Sequence, residues 1–287
     1  KTISRRAELV RKYGLILNST TIRLARDEKL LQAWLTAKIK AETGYELMIL
    51  ERQGYIVYRF TDTANHLAFE VEPARGNTIV ALEVEIDGKM TNILYAPDIN
   101  KSGGIPVMWP FANRIRGGKF SLAGGEVDLN GVPGTKDDGK GNIYHGMVRY
   151  ERWIIERIGV NKAGAYIRAS LDARNYPEIA KHFGQAKISV IYRLKDGQLS
   201  IETIIENRDQ KDILMSLAFH PWFNAPSRSG WQVKLPVSKH WQAVDQLPTG
   251  ELEDVTETAF VLAERAYDDV FTGLNFVDGL TTTLLRS

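Results

Sequence analysis

The chain has 287 residues, 44% of them apolar and 25% charged, with a formal net charge of +2 and no cysteine. That balance gives no case for a clustered basic nucleic-acid surface. No apolar run approaches the ~20 residues of a membrane helix, and without cysteine there are no disulfides, thiolate metal sites or cysteine nucleophiles. The length suffices for a large core, as one big domain or two smaller ones. A soluble protein is expected, in the cytoplasm or the periplasm.

Residues 1–45 read as a helical N-terminal extension. The stretch 4–14 is a short helix candidate. In 27–44, Asp27 is a candidate N-cap, Leu30, Leu31, Trp34, Leu35 and Ile39 share one face, and Gly44 is a plausible stop. This segment is expected to cover a sheet face. From residue 46 the pattern turns to strands, over 55–62, 66–73, 78–89, 165–173, 186–209 and 213–223. These runs are rich in β-branched and aromatic residues, alternate apolar with polar, and are punctuated by DG, NG and GG turns. Asp196-Gly197 marks a hairpin. Helix signals almost vanish after residue 46. Many antiparallel strands predict a mainly β fold, a large sandwich over 46–287.

Four stretches interrupt the strands with unusual polar groups. In 103–120, glycines bracket Trp109, Pro110 and Phe111, and Asn113-Arg114 follow. The aromatics would fix the backbone, and arginine offers a planar fork of donors for hydroxyl or carboxylate oxygens. In 141–153, His145-Gly146 lies between a glycine-rich loop and a strand. A lone histidine is more often structural than catalytic, but the glycine would permit close approach to the backbone. In 216–227, His220 ends an apolar run, braced by Pro221. Imidazole gives and takes protons near neutral pH, and Trp222 and Phe223 offer flat faces suited to sugar rings. In 265–274, Asp268 and Asp269 are adjacent, so only one of them can face a given pocket.

Other chemistries fail on spacing. There is no HExxH, no Walker-type glycine-lysine loop and no GxSxG. The five histidines, at 66, 145, 182, 220 and 240, are scattered singly. No metal and no cofactor is expected.

Taken in order, "GIPVMWPFANRIRGGKF", "YHG", "FHPWFN" and "YDDVFTGL" resemble the aldose 1-epimerase family, the galactose mutarotases, with weaker support from "EPARGNTIVALEV" and "LPTGEL". The resemblance covers roughly residues 46–287. It implies a large antiparallel β-supersandwich and interconversion of the α and β anomers of free aldoses such as glucose or galactose. Ring opening needs a proton delivered to the ring oxygen and one removed from the anomeric hydroxyl; a positioned acid and base each contribute about 10²–10⁴-fold. By motif, His220 matches the general acid and His145 the histidine that holds or polarises the sugar. Asn113, Arg114 and Asp268 match hydroxyl-binding residues, Asp268 being preferred to Asp269 because it stands three positions before Phe271, and Trp222 would wall the cleft. The family's glutamate base is expected beyond residue 287, which makes the sandwich incomplete at its C-terminal end. Two alternatives stay open. A hexose-6-phosphate 1-epimerase would use Arg149 and Arg152 on the phosphate. A non-catalytic carbohydrate-binding domain would bind sugar without turning it over. The partner is a small sugar, with no nucleic acid or membrane, and the oligomeric state is not legible.

Overall fold

The structure is a computed structural model, and it describes residues 42–98, 102–122, 125–225 and 229–286. The helical extension expected over 1–45 lies outside these residues except for its last few, and Tyr45 already belongs to a strand. The described residues fall into two compact units, one ending at Phe223 and the other beginning at Asn224. Every strand pair among them is antiparallel.

The first unit opens with a five-stranded meander of β1 (Tyr45–Arg52), β2 (Tyr55–Asp62), β3 (Leu67–Glu72), β4 (Thr78–Ile86) and β5 (Lys89–Asn92). Its tightest turns have the geometry their residues dictate. Gln53-Gly54 and Asp87-Gly88 all have positive φ, the pattern of two-residue hairpins whose twist matches the flanking strands. Short strands follow: β6 (Val107–Met108), β7 (Arg114–Ile115), β8 (Lys119–Leu122), β9 (Gly125–Asp128) and β10 (Ile143–Tyr144). The second large sheet runs β11 (Ile154–Asn161), β12 (Gly164–Asp172), β13 (Ala186–Lys195) and β14 (Gln198–Asn207). The β13–β14 turn is Asp196-Gly197, both at positive φ, as the sequence predicts.

The two large sheets pack face to face through β1 and β2 against β11, β12 and β13. Between them, Phe60 stacks on Phe69 at 4.9 Å, and Tyr192 tilts against Phe69 at 6.1 Å. Ile167, Ile188 and Leu194 belong to the same core, none of them solvent-exposed. Tyr192 buries its ring and satisfies its hydroxyl by donating to the Asn77 carbonyl at 2.6 Å. In keeping with the near-absence of helix signals, the described residues after 46 hold one short α-helix. This is α1 (Pro177–Phe183), started by a proline at its first turn, ended by Gly184, and anchored through Ile179 and Phe183. Phe183 stacks on Phe111 and on Phe120, each at 5.6 Å, so the helix braces the 103–120 segment.

The run 213–223 is less regular than the strand its composition predicts. Only β15 (Ala218–Phe219) pairs as strand, with β6. Pro106 and Pro110 flank β6 and have no N–H to give, so the ladder is cut to two residues. Their carbonyls still accept, from His220 N at 3.2 Å and Ser216 N at 2.7 Å. The 216–222 segment is thus tied to the 104–110 segment although little of it is strand.

The second unit contains two three-stranded sheets. In one, β16 (Gln232–Lys234) lies between β19 (Ala259–Val261) and β21 (Leu284–Arg286). In the other, β17 (Lys239–Val244) lies between β18 (Leu247–Asp254) and β20 (Val270–Thr272). Phe260 links them through Phe271 at 5.1 Å and Tyr267 at 5.6 Å.

Candidate active site

Trp109 is the hub of the site. It is fully buried, donates its indole N–H to Met215 Sδ at 3.4 Å, and accepts from Met147 N on its backbone carbonyl at 2.9 Å. That last bond draws the 144–147 loop against the 109–113 segment. The contact is close enough to specify glycine. A Cβ at Gly146 would lie 2.4 Å from the Trp109 carbonyl oxygen and 2.7 Å from its nitrogen, and Gly146 has φ +75. Close approach is therefore what this glycine provides, but to Trp109 rather than to a ligand. His145 itself has φ 63, a left-handed backbone that an ordinary side chain adopts at some cost.

The loop fixes the His145 ring. Its Nδ1 lies 3.1 Å from the Ala112 carbonyl oxygen, which can only accept, so Nδ1 carries the proton and Nε2 keeps its lone pair. Burial, against a partly compensating bond to Ala112, pushes the His145 imidazole below its usual range, and the nearby His220, Arg114 and Arg149 push it further. His145 is therefore neutral at neutral pH. Its ring meets the His220 ring edge-on at 5.3 Å, and the other face of this arrangement is Trp222, stacked on His220 at 5.3 Å and 27°. His220 is half-buried, its Nδ1 is enclosed, and its backbone is held by Pro106. Trp222 is 37% exposed and is locked from both sides, donating to the Gly104 carbonyl and accepting from Tyr95 N.

Arg114 stands on β7, paired with Tyr144 of β10. Its Nε donates to Asp138 Oδ2 at 3.2 Å and its Nη1 to Asn113 Oδ1 at 3.4 Å, and the guanidinium lies over the Tyr144 ring. Asp138 was not among the residues singled out in the sequence. Its carboxyl accepts from Asn142 Nδ2 and from the Lys140 and Asn142 backbone, and these bonds with Arg114 hold it well below the usual carboxylate range. The DDGKGN loop was its signal, since Asp and Asn before glycine form such side-chain-to-backbone turns. A cavity of about 260 Å³ opens beside His145, lined among others by Lys136, Tyr144, Arg149 and Glu151. Burial raises the Glu151 carboxyl.

His145, His220, Trp222, Asn113 and Arg114 thus belong to one unit, and the two histidines are in ring contact. Asp268 belongs to the second unit, where it is exposed and accepts from Gln246 Nε2. Its neighbour Asp269 is engaged otherwise, 3.2 Å from His240 Nε2 and 2.9 Å from Arg265 Nη1. The two adjacent acids thus have different partners.

The family model for aldose 1-epimerase matches residues 63–280. The chain belongs to the aldose 1-epimerase family. Among solved structures, the fold is similar to that of a galactose mutarotase-like protein from Clostridium acetobutylicum, with a TM-score of 0.71 and 21% identity over 86% of this chain and 78% of that one. A mutarotase candidate from Salmonella typhimurium aligns with a TM-score of 0.45 and 14% identity, over 78% of this chain and 68% of its own. No curated protein gives a significant match. Among the described residues, no helix is long and apolar enough to cross a membrane.

Proposed function

We propose that this epimerase-family chain interconverts the α and β anomers of free aldohexoses such as glucose or galactose. The observation that carries the reading is the edge-on pair of His145 and His220, with Trp222 stacked on the second ring. The two imidazoles are assigned different parts. His145 is held neutral with its Nε2 lone pair free of the Ala112 bond, so it accepts a hydrogen bond from a sugar hydroxyl. His220 is the general acid that delivers a proton to the ring oxygen as the C1–O bond of the ring breaks, while the anomeric hydroxyl gives its proton to the glutamate base that the family resemblance implies. The opened aldehyde then rotates about C1–C2, the ring oxygen's hydroxyl re-adds to either face of C1 and returns its proton to His220, and the base returns the other proton to the former carbonyl oxygen. Trp222 supplies an apolar platform for the ring, and Arg114, oriented by Asp138, donates to hydroxyls together with Asn113.

A hexose 6-phosphate substrate is the second reading, and one observation favours it: Arg149 lines the cavity beside His145. Arg152, the other arginine of that stretch, is exposed. Saturation-transfer NMR on the anomeric protons separates the readings. The first predicts faster exchange of free glucose or galactose than of glucose 6-phosphate at equal concentration, and the opposite order overturns it. Binding of sugar with no faster exchange of either overturns both and leaves a carbohydrate-binding domain.

A further inference from the structure

The aromatic surface at His220 extends beyond Trp222. Tyr95, shortly after β5, is 48% exposed, and Trp222 is 37% exposed. Exposed rings scattered singly need no explanation, but these two are neighbours. Leu94 bridges Phe223 in antiparallel register, which sets Tyr95 opposite Trp222, and Tyr95 N donates to the Trp222 carbonyl at 2.8 Å. Residues directly opposite in such a pair present their side chains to the same side, about 5 Å apart at Cβ. Tyr95 and Trp222 therefore share one side. Phe223, next along the chain, belongs to the other side with the buried Leu94. The Trp222 ring stacks on His220 at 5.3 Å, so the row runs from His220 through Trp222 to Tyr95.

The backbone beneath this row is held on every side. Gly104 N donates to the Tyr95 carbonyl at 3.0 Å and Trp222 N to the Gly104 carbonyl at 2.9 Å, so both aromatic residues lean on the 103–105 segment. A Cβ on Gly103 would lie 2.6 Å from the Tyr95 carbonyl oxygen. One on Gly104 would lie 2.2 Å from the Ile79 carbonyl oxygen, and Gly104 has φ +69. Ile105 N donates to that same Ile79 carbonyl at 2.8 Å, which fastens the segment to β4. These bonds use backbone groups and leave the two rings presented to solvent. A platform fixed in this way costs little further ordering when a ligand lies on it.

We propose that Tyr95 and Trp222 form a two-ring platform for a reducing disaccharide, or for the reducing end of a longer oligosaccharide. The reacting ring lies on Trp222 beside His220, and the next ring lies on Tyr95. The C–H face of a pyranose packs on an aromatic ring while its edge hydroxyls stay free to hydrogen-bond. The offset of about 5 Å between cross-strand partners is close to the width of one such ring, so two linked rings can each meet an aromatic. The chemistry also restricts the linkage. C1 of the reacting ring must keep its free hydroxyl, so the second sugar is joined through another carbon of that ring. The placing of the reacting ring rests on the isomerase reading, whereas the contact with Tyr95 is a matter of binding.

Calorimetric titration of the full chain with glucose, maltose, cellobiose and lactose tests the platform, and saturation-transfer NMR on the same sugars reads turnover. At least one disaccharide binds about tenfold or more tightly than glucose. Tyr95→Ala brings that affinity to within about twofold of glucose and leaves glucose binding unchanged. Tyr95→Phe, which keeps the ring, retains the advantage. The Tyr95 ring is half-exposed and the segment is held by its backbone, so a folded Tyr95→Ala variant is expected, and circular dichroism verifies it. Disaccharides that bind no better than glucose, or an advantage that survives Tyr95→Ala, overturn the platform. Accelerated exchange of glucose in that case leaves the isomerase reading standing without it. Tyr95-dependent disaccharide binding with no faster exchange of any sugar supports the platform and overturns the isomerase reading instead.

Discussion

A methyl group on Gly146 would overlap the Trp109 carbonyl oxygen, so Gly146→Ala must either move the His145 loop or push the 109–113 segment away. Strain at positive φ adds to the overlap. The expected cost is about 2 kcal/mol or more, read by urea unfolding, together with loss of the His145–Ala112 bond. The imidazole makes a second prediction at this scale. His145 has its pKa lowered in the folded state, chiefly by burial. The unfolded chain then binds more protons below the usual histidine midpoint of about 6.5, so stability from this group is present above that midpoint and is lost as pH falls through it. NMR titration of the His145 ring should give a midpoint below about 6.5, and a midpoint above it would contradict the neutral assignment. Of these residues the histidines, Asn113 and Arg114 were legible because they stand in compact motifs with aromatic bracing. Asp138 was not, because its role depends on a loop that folds back on β7, and nothing local in the sequence says which arginine it will meet.

The strands that could be read were those whose alternation is undisturbed. Residues 55–62 are read to the residue as β2, and Asp196-Gly197 turns the chain between β13 and β14 as its composition demands. That turn also ties other elements together, since Gly197 N donates to Asp62 Oδ2 at 3.0 Å and Asp196 N to the Tyr45 hydroxyl at 3.2 Å. Asp62 is buried and further accepts from Asn65. Asp62→Ala should therefore cost about 0.5–1.5 kcal/mol, because it removes the buried acceptor that two turns share; no measurable change in urea unfolding would contradict the role given to it. Elements were misread where proline or shortness intervened. The 213–223 run has a strand's composition but meets a partner interrupted by Pro106 and Pro110. The helix α1 has only two turns, too few for periodicity to register, although Pro177 and Gly184 marked both of its ends.

For the whole molecule, the buried carboxyl on the outer face of β3 sets a pH dependence. Glu72 has its pKa raised from 4.5 to about 7 by burial. The native state then binds more protons than the unfolded state between those values, so stability falls as pH rises from about 4.5 to about 7. The drop attributable to this group is on the order of 3 kcal/mol. Glu72→Gln should flatten that part of the stability curve, and an unchanged curve would contradict the burial argument. The mainly β architecture and the family were legible in the sequence because the motifs occur in order along a strand-rich chain. The division at Phe223 was not, because the polar run after it resembles any surface loop.

His220 is the acid on which the proposed mutarotation depends. Polarimetry addresses this directly, by following the decay of optical rotation of freshly dissolved α-D-glucose and α-D-galactose with the wild-type chain and with His220→Ala. An accelerated decay that the substitution slows by about 100-fold or more is the predicted result. Acceleration that survives His220→Ala in a folded protein would contradict the assignment, and no acceleration by the folded wild-type chain would contradict the catalytic reading itself.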